Sequence, residues 1–413
     1  MTRLMTVGAI LALVVTGCVT ASTDTTSVEV VTTSTTTVAV PLPQDRVAVS
    51  SVDGGIRVHD AAGAEVMRLD AVAGISYRQP VWASDGSILA ARSGDGGGVG
   101  LVSVDASDAS IRWEAAMDTP PFYYLPAPAG SAWATTSLRN DPSGGGLIAE
   151  LVDGGGMVTP IATISPFYST WSPDGGLLAV HGGGRTIDIR SEGGTETIAD
   201  PSGVFQAPAW TADGLVTLRT TAIGQVLSVW DGSSFDDVAS VAGPVRFTAG
   251  NGRVALQAVG SDGGGGVQAG LSSQQVPAIP GGRLVVIDLD SGAVETVINE
   301  LTPLFQWDPS GERLLFATFT SPDTLAFRVQ IWDGGSTVDL GSFDAQPIWF
   351  RDLVPFFDQY DQSISLWSTG GDAIAIPEVL DGRRVVSIRP VDGSRAVVIE
   401  DATWVTWRPP DTP

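Results

Sequence analysis

One turn, Trp171-Ser172-Pro173-Asp174-Gly175 followed by the apolar run Leu177-Leu178-Ala179-Val180, recurs along this chain and narrows what it can fold into. Ser, Pro, Asp and Gly occupy the four corners of a β-turn in the order each prefers. Pro fixes φ, Asp can bond its own backbone, and Gly relieves the exit. The segment reads as strand, tight turn, strand. Trp82-Ala83-Ser84-Asp85-Gly86, Trp210-Thr211-Ala212-Asp213-Gly214 and Trp307-Asp308-Pro309-Ser310-Gly311 are the same unit, each leading into a short apolar strand. Such repetition points to a repeat architecture.

First-strand markers fall at Trp82, Pro126, Trp171, Trp210, Phe247, Trp307 and Trp349, with an eighth near Ile388. Their spacing is mostly about forty residues, the length of one propeller blade. Each unit adds a second hairpin, as in Leu284-Val285-Val286-Ile287, the turn at Ser291-Gly292, and Val294 to Val297. Its counterparts begin at Ile187, Leu227, Gln330 and Ile364. Four strands per unit predict an all-β chain, a single β-propeller of four-stranded blades. A blade cannot bury both faces alone, so the units must stack radially and close. The Trp-Ser-Pro-Asp-Gly turn resembles that of the TolB-type, WD-repeat-like propellers, over about Arg46 to Trp407. This resemblance implies a fold and carries almost no information about a ligand.

Closure is expected to join the chain ends. Val47 to Ser50, Ile56 to His59 and Glu65 to Leu69 supply three strands without a Trp-marked first strand, and Thr403 to Trp407 can supply it. An alternative pairs the strands around Ile388 and Val397 with the N-terminal ones. Either arrangement gives eight blades as first choice and seven as second.

Composition agrees: 50 Gly, 26 Pro and no long amphipathic stretch at helical spacing. The formal charge is -24, all 22 basic residues being arginine. Such a surface repels phosphates, which argues against nucleic acid and against anionic lipid as ligands of the folded part, and favours a soluble monomer.

Before the propeller, Arg3, the apolar stretch Leu4 to Val15 and Thr16-Gly17-Cys18 describe an export signal too short to span as a mature helix. Cys18 is the single cysteine, so no intramolecular disulfide forms. Val15-Thr16-Gly17-Cys18 resembles the lipobox of bacterial lipoproteins, which implies cleavage before Cys18 and lipid attachment to it. Residues 18–44, rich in Thr and Ser, lack the bulky apolar residues needed to fold and read as a flexible stalk. The expected organisation is a signal peptide at 1–17, a lipid-anchored stalk at 18–44 and a propeller at 45–413. The expected location is the extracytoplasmic face of the cell membrane.

Propeller geometry assigns loops to faces. The tight Trp-marked turns share one face, and the longer second-to-third-strand loops, above all Gly260 to Gly282, share the other, or top, face. Long loops of that kind tend to carry function. The mapping sends all five tyrosines there, Tyr77, Tyr123, Tyr124, Tyr168 and Tyr360. Arg78, Gln79, Phe122, Phe167, Gln206, Gln306 and Gln346 accompany them around the channel mouth. Aromatic and amide groups around a concavity suit a protein, peptide or glycan partner of the cell envelope, although the same residues could simply pack blade against blade.

Signals for chemistry are few. His59 and His181 lack metal-ligand spacing to each other, no nucleophile elbow occurs, and the Gly-rich runs lack the Lys-Ser/Thr of a phosphate loop. No cofactor or metal is expected. Asp352, Asp358 and Asp361 are read as solvated acids, with an acid/base or calcium role as the alternative. The expectation is a binding module. The competing class is a propeller enzyme, a glycan hydrolase, a lyase or a quinone-dependent dehydrogenase, working through top-face carboxylates or arginines.

Overall fold

A computed structural model describes residues 45–410 apart from 95–97, 129–134, 164–166, 183–185, 199–206, 222–223, 242–243, 259–277, 280–281 and 321–324. The signal, the stalk, most of the Gly260 to Gly282 insertion and Gln206 lie outside the described residues. Among those described, antiparallel strands form seven sheets of four strands or more, the arrangement of a β-propeller.

The chain closes through its ends. Ala402–Trp407 pairs with Arg46–Ser51, which continues into Ile56–Asp60 and Glu65–Leu69. Val47 lies opposite Trp407 and Val49 opposite Val405. The alternative closure through Ile388 and Val397 does not occur; those residues pair with each other at the far side of another sheet. The two units with the weakest markers are regular sheets as well: Pro121–Pro126 heads one and Val245–Ala249 the other.

The turn that organises the sequence forms as its residues dictate. Gly175 N–H donates to Ser172 C=O at 2.8 Å, Ser172 Oγ donates to Asp174 Oδ1 at 2.6 Å, and Gly175 has φ 70°. That φ is open to glycine without steric cost. Next to each turn the indole has a fixed task. Trp171 Nε1 donates to Leu125 C=O, Trp210 to Thr170, Trp307 to Thr248, Trp367 to Gln306 and Trp82 to Thr406, all at 3.2 Å. Each bond runs to the first strand of the preceding unit, and successive first strands touch one another about a common centre. The marker tryptophan is therefore an inter-sheet clasp, and its apolar body contributes roughly 2–3 kcal/mol of burial on top of the bond. Trp407 repeats the position on the closing strand, fully buried, but its Nε1 has no partner among the described residues.

One marker is misplaced by the sequence. Trp349 does not begin a strand: Trp349–Leu353 is a wide π-type turn that runs into the α-helix Val354–Tyr360, with a break at Phe356 (φ -135°, ψ 21°). The equivalent of the turn lies further on, at Trp367-Ser368-Thr369-Gly370-Gly371-Asp372. There Gly371 N–H donates to Ser368 C=O at 2.9 Å and Ser368 Oγ donates to Asp372 Oδ1 at 2.6 Å. Trp367 bridges to Ile374, the start of a stretch carried on by Ala373–Leu380, Arg383–Pro390 and Val397–Glu400. These three strands extend the sheet of Leu304–Trp307, Leu314–Phe319, Ala326–Trp332 and Thr337–Ala345, joined only by Asp344 opposite Val379 and Ala345 opposite Glu378.

Among the described residues no helix is long and apolar enough to cross a membrane.

Candidate functional site

The segment from Gln346 to Thr369 runs from one cavity to another. Its helical part touches the first strands Phe167–Trp171, Val245–Ala249 and Leu304–Trp307, so it occupies the centre that the first strands surround. Side-chain amides hold it there by imitating a backbone. Gln306 donates to Ile364 C=O at 2.6 Å and accepts from Leu366 N–H at 2.9 Å. Gln362 does the same to Trp171, accepting from its N–H at 3.0 Å and donating to its C=O at 2.8 Å. Arg246 Nη1 donates to Val354 C=O at 2.9 Å.

On the side of the Trp-marked turns lies a cavity of about 380 Å³, lined by Trp307, Trp367, Trp407, Arg408, Asp361 and Gln362 among others. Asp361 is half-buried at the wall of this cavity rather than fully solvated. Burial, with Asp358 adding like-charge repulsion, pushes its carboxyl up to about 7 against an opposing hydrogen bond with Gln306.

At the opposite end is a larger cavity of about 730 Å³. Five of the residues selected from sequence meet in it: Tyr77, Arg78, Gln79, Phe122 and Gln346. Arg351, Asp352, Arg384 and Trp404 join them. Local structure explains the placement of the first group. Register slips between Arg78 and Val81 where Ile75–Trp82 pairs with Ile88–Gly94, and Gln79 takes φ 51° in that bulge. Bulges re-aim side chains, and non-glycine residues at positive φ concentrate at functional sites. Gln346 is buried at the floor, its amide within reach of the carbonyls of Glu378, Val385 and Ala402 at 2.8–3.0 Å.

The other selected residues are not presented here. Tyr123 and Tyr124 are each 2% exposed. Tyr123 Oη donates to Gln359 C=O at 2.9 Å, and Tyr360 Oη donates to Phe122 C=O at 2.8 Å, with the two rings edge-on at 5.2 Å. Burial raises all three phenols well above their ordinary range. Tyr123 and Tyr360 tie the central helix to the wall, Tyr124 joins two neighbouring sheets of that wall, and none of the three lines the cavity. Tyr168 lies opposite His181 in its own sheet, half-buried, and burial with the nearby Asp358 pushes its phenol up to about 12. Gln306 lines the smaller cavity. Phe167 opens the strand Phe167–Trp171, its side chain outside the described residues, and Gln206 is likewise outside them.

Sequence reading missed Arg351, Arg384 and Trp404 as parts of this cavity and read Asp352 as a solvated acid. Trp349 looked like one more strand marker, which hid the helix carrying Arg351 and Asp352. For Arg384 a signal was available: Asp381-Gly382 is a two-residue hairpin with φ 51° and 75°, and it delivers the next residues to this end of the sheet.

Among the described residues no group of three His, Cys, Asp or Glu is placed to hold a metal ion.

No family model matches this chain, and no curated protein matches it. Solved structures do. The dihydro-heme d1 dehydrogenase NirN superposes with a TM-score of 0.56 at 11% identity, over 88% of this chain and 74% of its own. The C-terminal WD40 domain of Sif2 gives 0.53 at 12% identity, over 85% of this chain and 93% of its own. TolB from Acinetobacter baumannii gives 0.39 at 15% identity, over 81% and 82%, a looser likeness that carries no argument. At such identities the likeness concerns fold alone: the described part of this chain is an all-β propeller.

Proposed function

We propose that this protein is a lipid-anchored, extracytoplasmic binding module whose propeller takes a protein or peptide segment of the cell envelope into the cavity of about 730 Å³. The observation that carries the reading is convergence: Tyr77, Arg78 and Gln79 from one strand, Phe122 from a second sheet and Gln346 from the segment that follows Thr337–Ala345 meet at one concavity, on the end away from the Trp-marked turns. Its volume is that of a ligand site. A peptide is favoured over a glycan because sugar rings stack on open aromatic faces, and of the three aromatic rings at this cavity only Phe122 is partly exposed, Tyr77 and Trp404 being 5% and 1% exposed. The anchor is the lipid expected on Cys18, where several acyl chains on one residue hold firmly and one is marginal.

Capture from envelope extracts, comparing wild type with Phe122→Ala and Arg78→Ala, tests this. A partner retained by wild type and lost by both variants supports the site. An unchanged set of captured proteins rules the cavity out.

A catalytic reading has one observation on its side. Asp361, its carboxyl pushed up to about 7, has the poise of a general acid facing the smaller cavity. Turnover of envelope glycans that disappears in Asp361→Asn would favour it over the binding module.

A further inference from the structure

The chain carries a net charge of -24, yet the wall of the larger cavity holds three arginines, Arg78, Arg351 and Arg384, against two aspartates, Asp53 and Asp352. The pairing within that wall is uneven. Arg351 is committed to Asp352 through Nε at 2.9 Å and Nη2 at 2.6 Å. Asp53 turns Oδ1 to the N–H of Gly55 at 3.1 Å. Arg78 and Arg384 have no ion pair among the described residues, although acids outnumber bases two to one in the chain.

Their placement is specific. Arg78 leads into the Gln79 bulge, whose carbonyls the Tyr124 hydroxyl holds. Arg384 follows the Asp381-Gly382 hairpin, and its neighbour Arg383 points to the other face of the same strand, where it pairs with Glu400 at 2.8 Å. The cavity wall therefore includes the arginine without an ion pair among the described residues, and the other face of the strand carries the one paired with Glu400.

We infer, resting on the binding reading above, that the partner segment is recognised through carboxylates, acidic side chains received by Arg78 and Arg384. Guanidinium presents donors in a rigid fork that matches a carboxylate two bonds at a time. Acids elsewhere on the surface do not forbid this, because exposed charges are screened beyond about 8 Å at physiological ionic strength. They do restrict the ligand: a long polyacid would meet the negative surface outside, whereas a short segment that places its charge inside meets the arginines.

The test uses the full chain and a short capped peptide carrying two glutamates one residue apart, with its glutamine counterpart as the neutral probe. Binding by calorimetry is expected for the glutamate peptide only, weakening as salt rises. Arg78→Gln and Arg384→Gln should each weaken it by about tenfold or more, the range for a charged hydrogen-bonding group, and Arg383→Gln should leave it unchanged. Thermal melts of all three variants, unchanged from wild type, confirm that a loss is not unfolding. Equal binding of both peptides, no binding of either, or equal loss in Arg383→Gln overturns the carboxylate inference. In any of these cases cavity-dependent capture from envelope extracts would leave the binding module standing, so the two failures are distinguishable.

Discussion

Tyr124 donates its hydroxyl to the carbonyl of Arg78 at 2.8 Å, across the junction between neighbouring sheets. The same oxygen accepts the N–H of Ala91 at 3.1 Å, the residue opposite Arg78 in the ladder, and also contacts the carbonyl of Gln79. The hydroxyl thus occupies the gap that the bulge opens and satisfies both edges of it. A tyrosine selected as a surface contact is instead what holds an arginine and a glutamine at the cavity wall.

Tyr124→Phe removes that oxygen and leaves a buried N–H and a carbonyl unpaired. The expected loss is about 1–3 kcal/mol of stability in urea unfolding, the desolvation penalty of such groups. Weakened binding at the cavity should accompany it, since Arg78 and Gln79 lose their support. A change below the error of the measurement would show that water fills the gap.

Asp361 makes stability depend on pH in an unusual direction. Its folded carboxyl titrates at about 7 against an ordinary 3.8, so between these values the folded chain keeps a proton that the unfolded chain has lost. Stability contributed by the neutral acid is complete below about 4 and is lost as pH rises to about 7. The slope is up to about 1.4 kcal/mol per pH unit. Asp361→Asn should flatten this part of the melting-temperature profile and be the more stable protein above neutrality. A parallel profile for the two would refute the assignment.

Arg139 and Glu150 form a buried pair, bonded at 3.0 and 2.8 Å with side chains 9% and 4% exposed. Replacing only Glu150 by Gln leaves a buried guanidinium without its counter-charge, at an expected cost of about 3–5 kcal/mol. Replacing both, Arg139→Met with Glu150→Leu, should recover most of it. Denaturation of the single and double variants measures the coupling, and a double variant as unstable as the single would refute the account.

Cys18→Ser removes the proposed lipid attachment and should move the protein from the membrane to the soluble fraction on cell fractionation. Continued retention in the membrane fraction would contradict the lipobox reading.

Much of the fold was readable because its signals are local. The turn Ser172 to Gly175, the alternation in Leu284 to Ile287 and the closing strand Thr403 to Trp407 each follow from a few neighbouring residues and a period of two. Trp349 was misread because an indole at the expected spacing is ambiguous by itself; what separates it from Trp367 is the run of small residues Ser368-Thr369-Gly370-Gly371, where Trp349 is followed by Phe350 and Arg351. The candidate site was half legible. Tyr77, Arg78, Gln79, Phe122 and Gln346 were placed at the correct end by strand register alone. Whether a tyrosine reaches solvent or a neighbour's carbonyl depends on the sheet beside it, which strand register does not encode.

Sequence alone determined that this chain repeats strand-turn-strand units, most of them marked by a tryptophan, because turn chemistry and side-chain alternation act over a few residues. Tertiary structure alone decided that Gln346 to Thr369 fills the centre, that Tyr123, Tyr124 and Tyr360 face inward, and that Arg78 and Arg384, more than three hundred residues apart, share a cavity. Those outcomes rest on burial, on backbone carbonyls finding donors from another sheet, and on charges left unpaired, none of which exists until the sheets stand side by side.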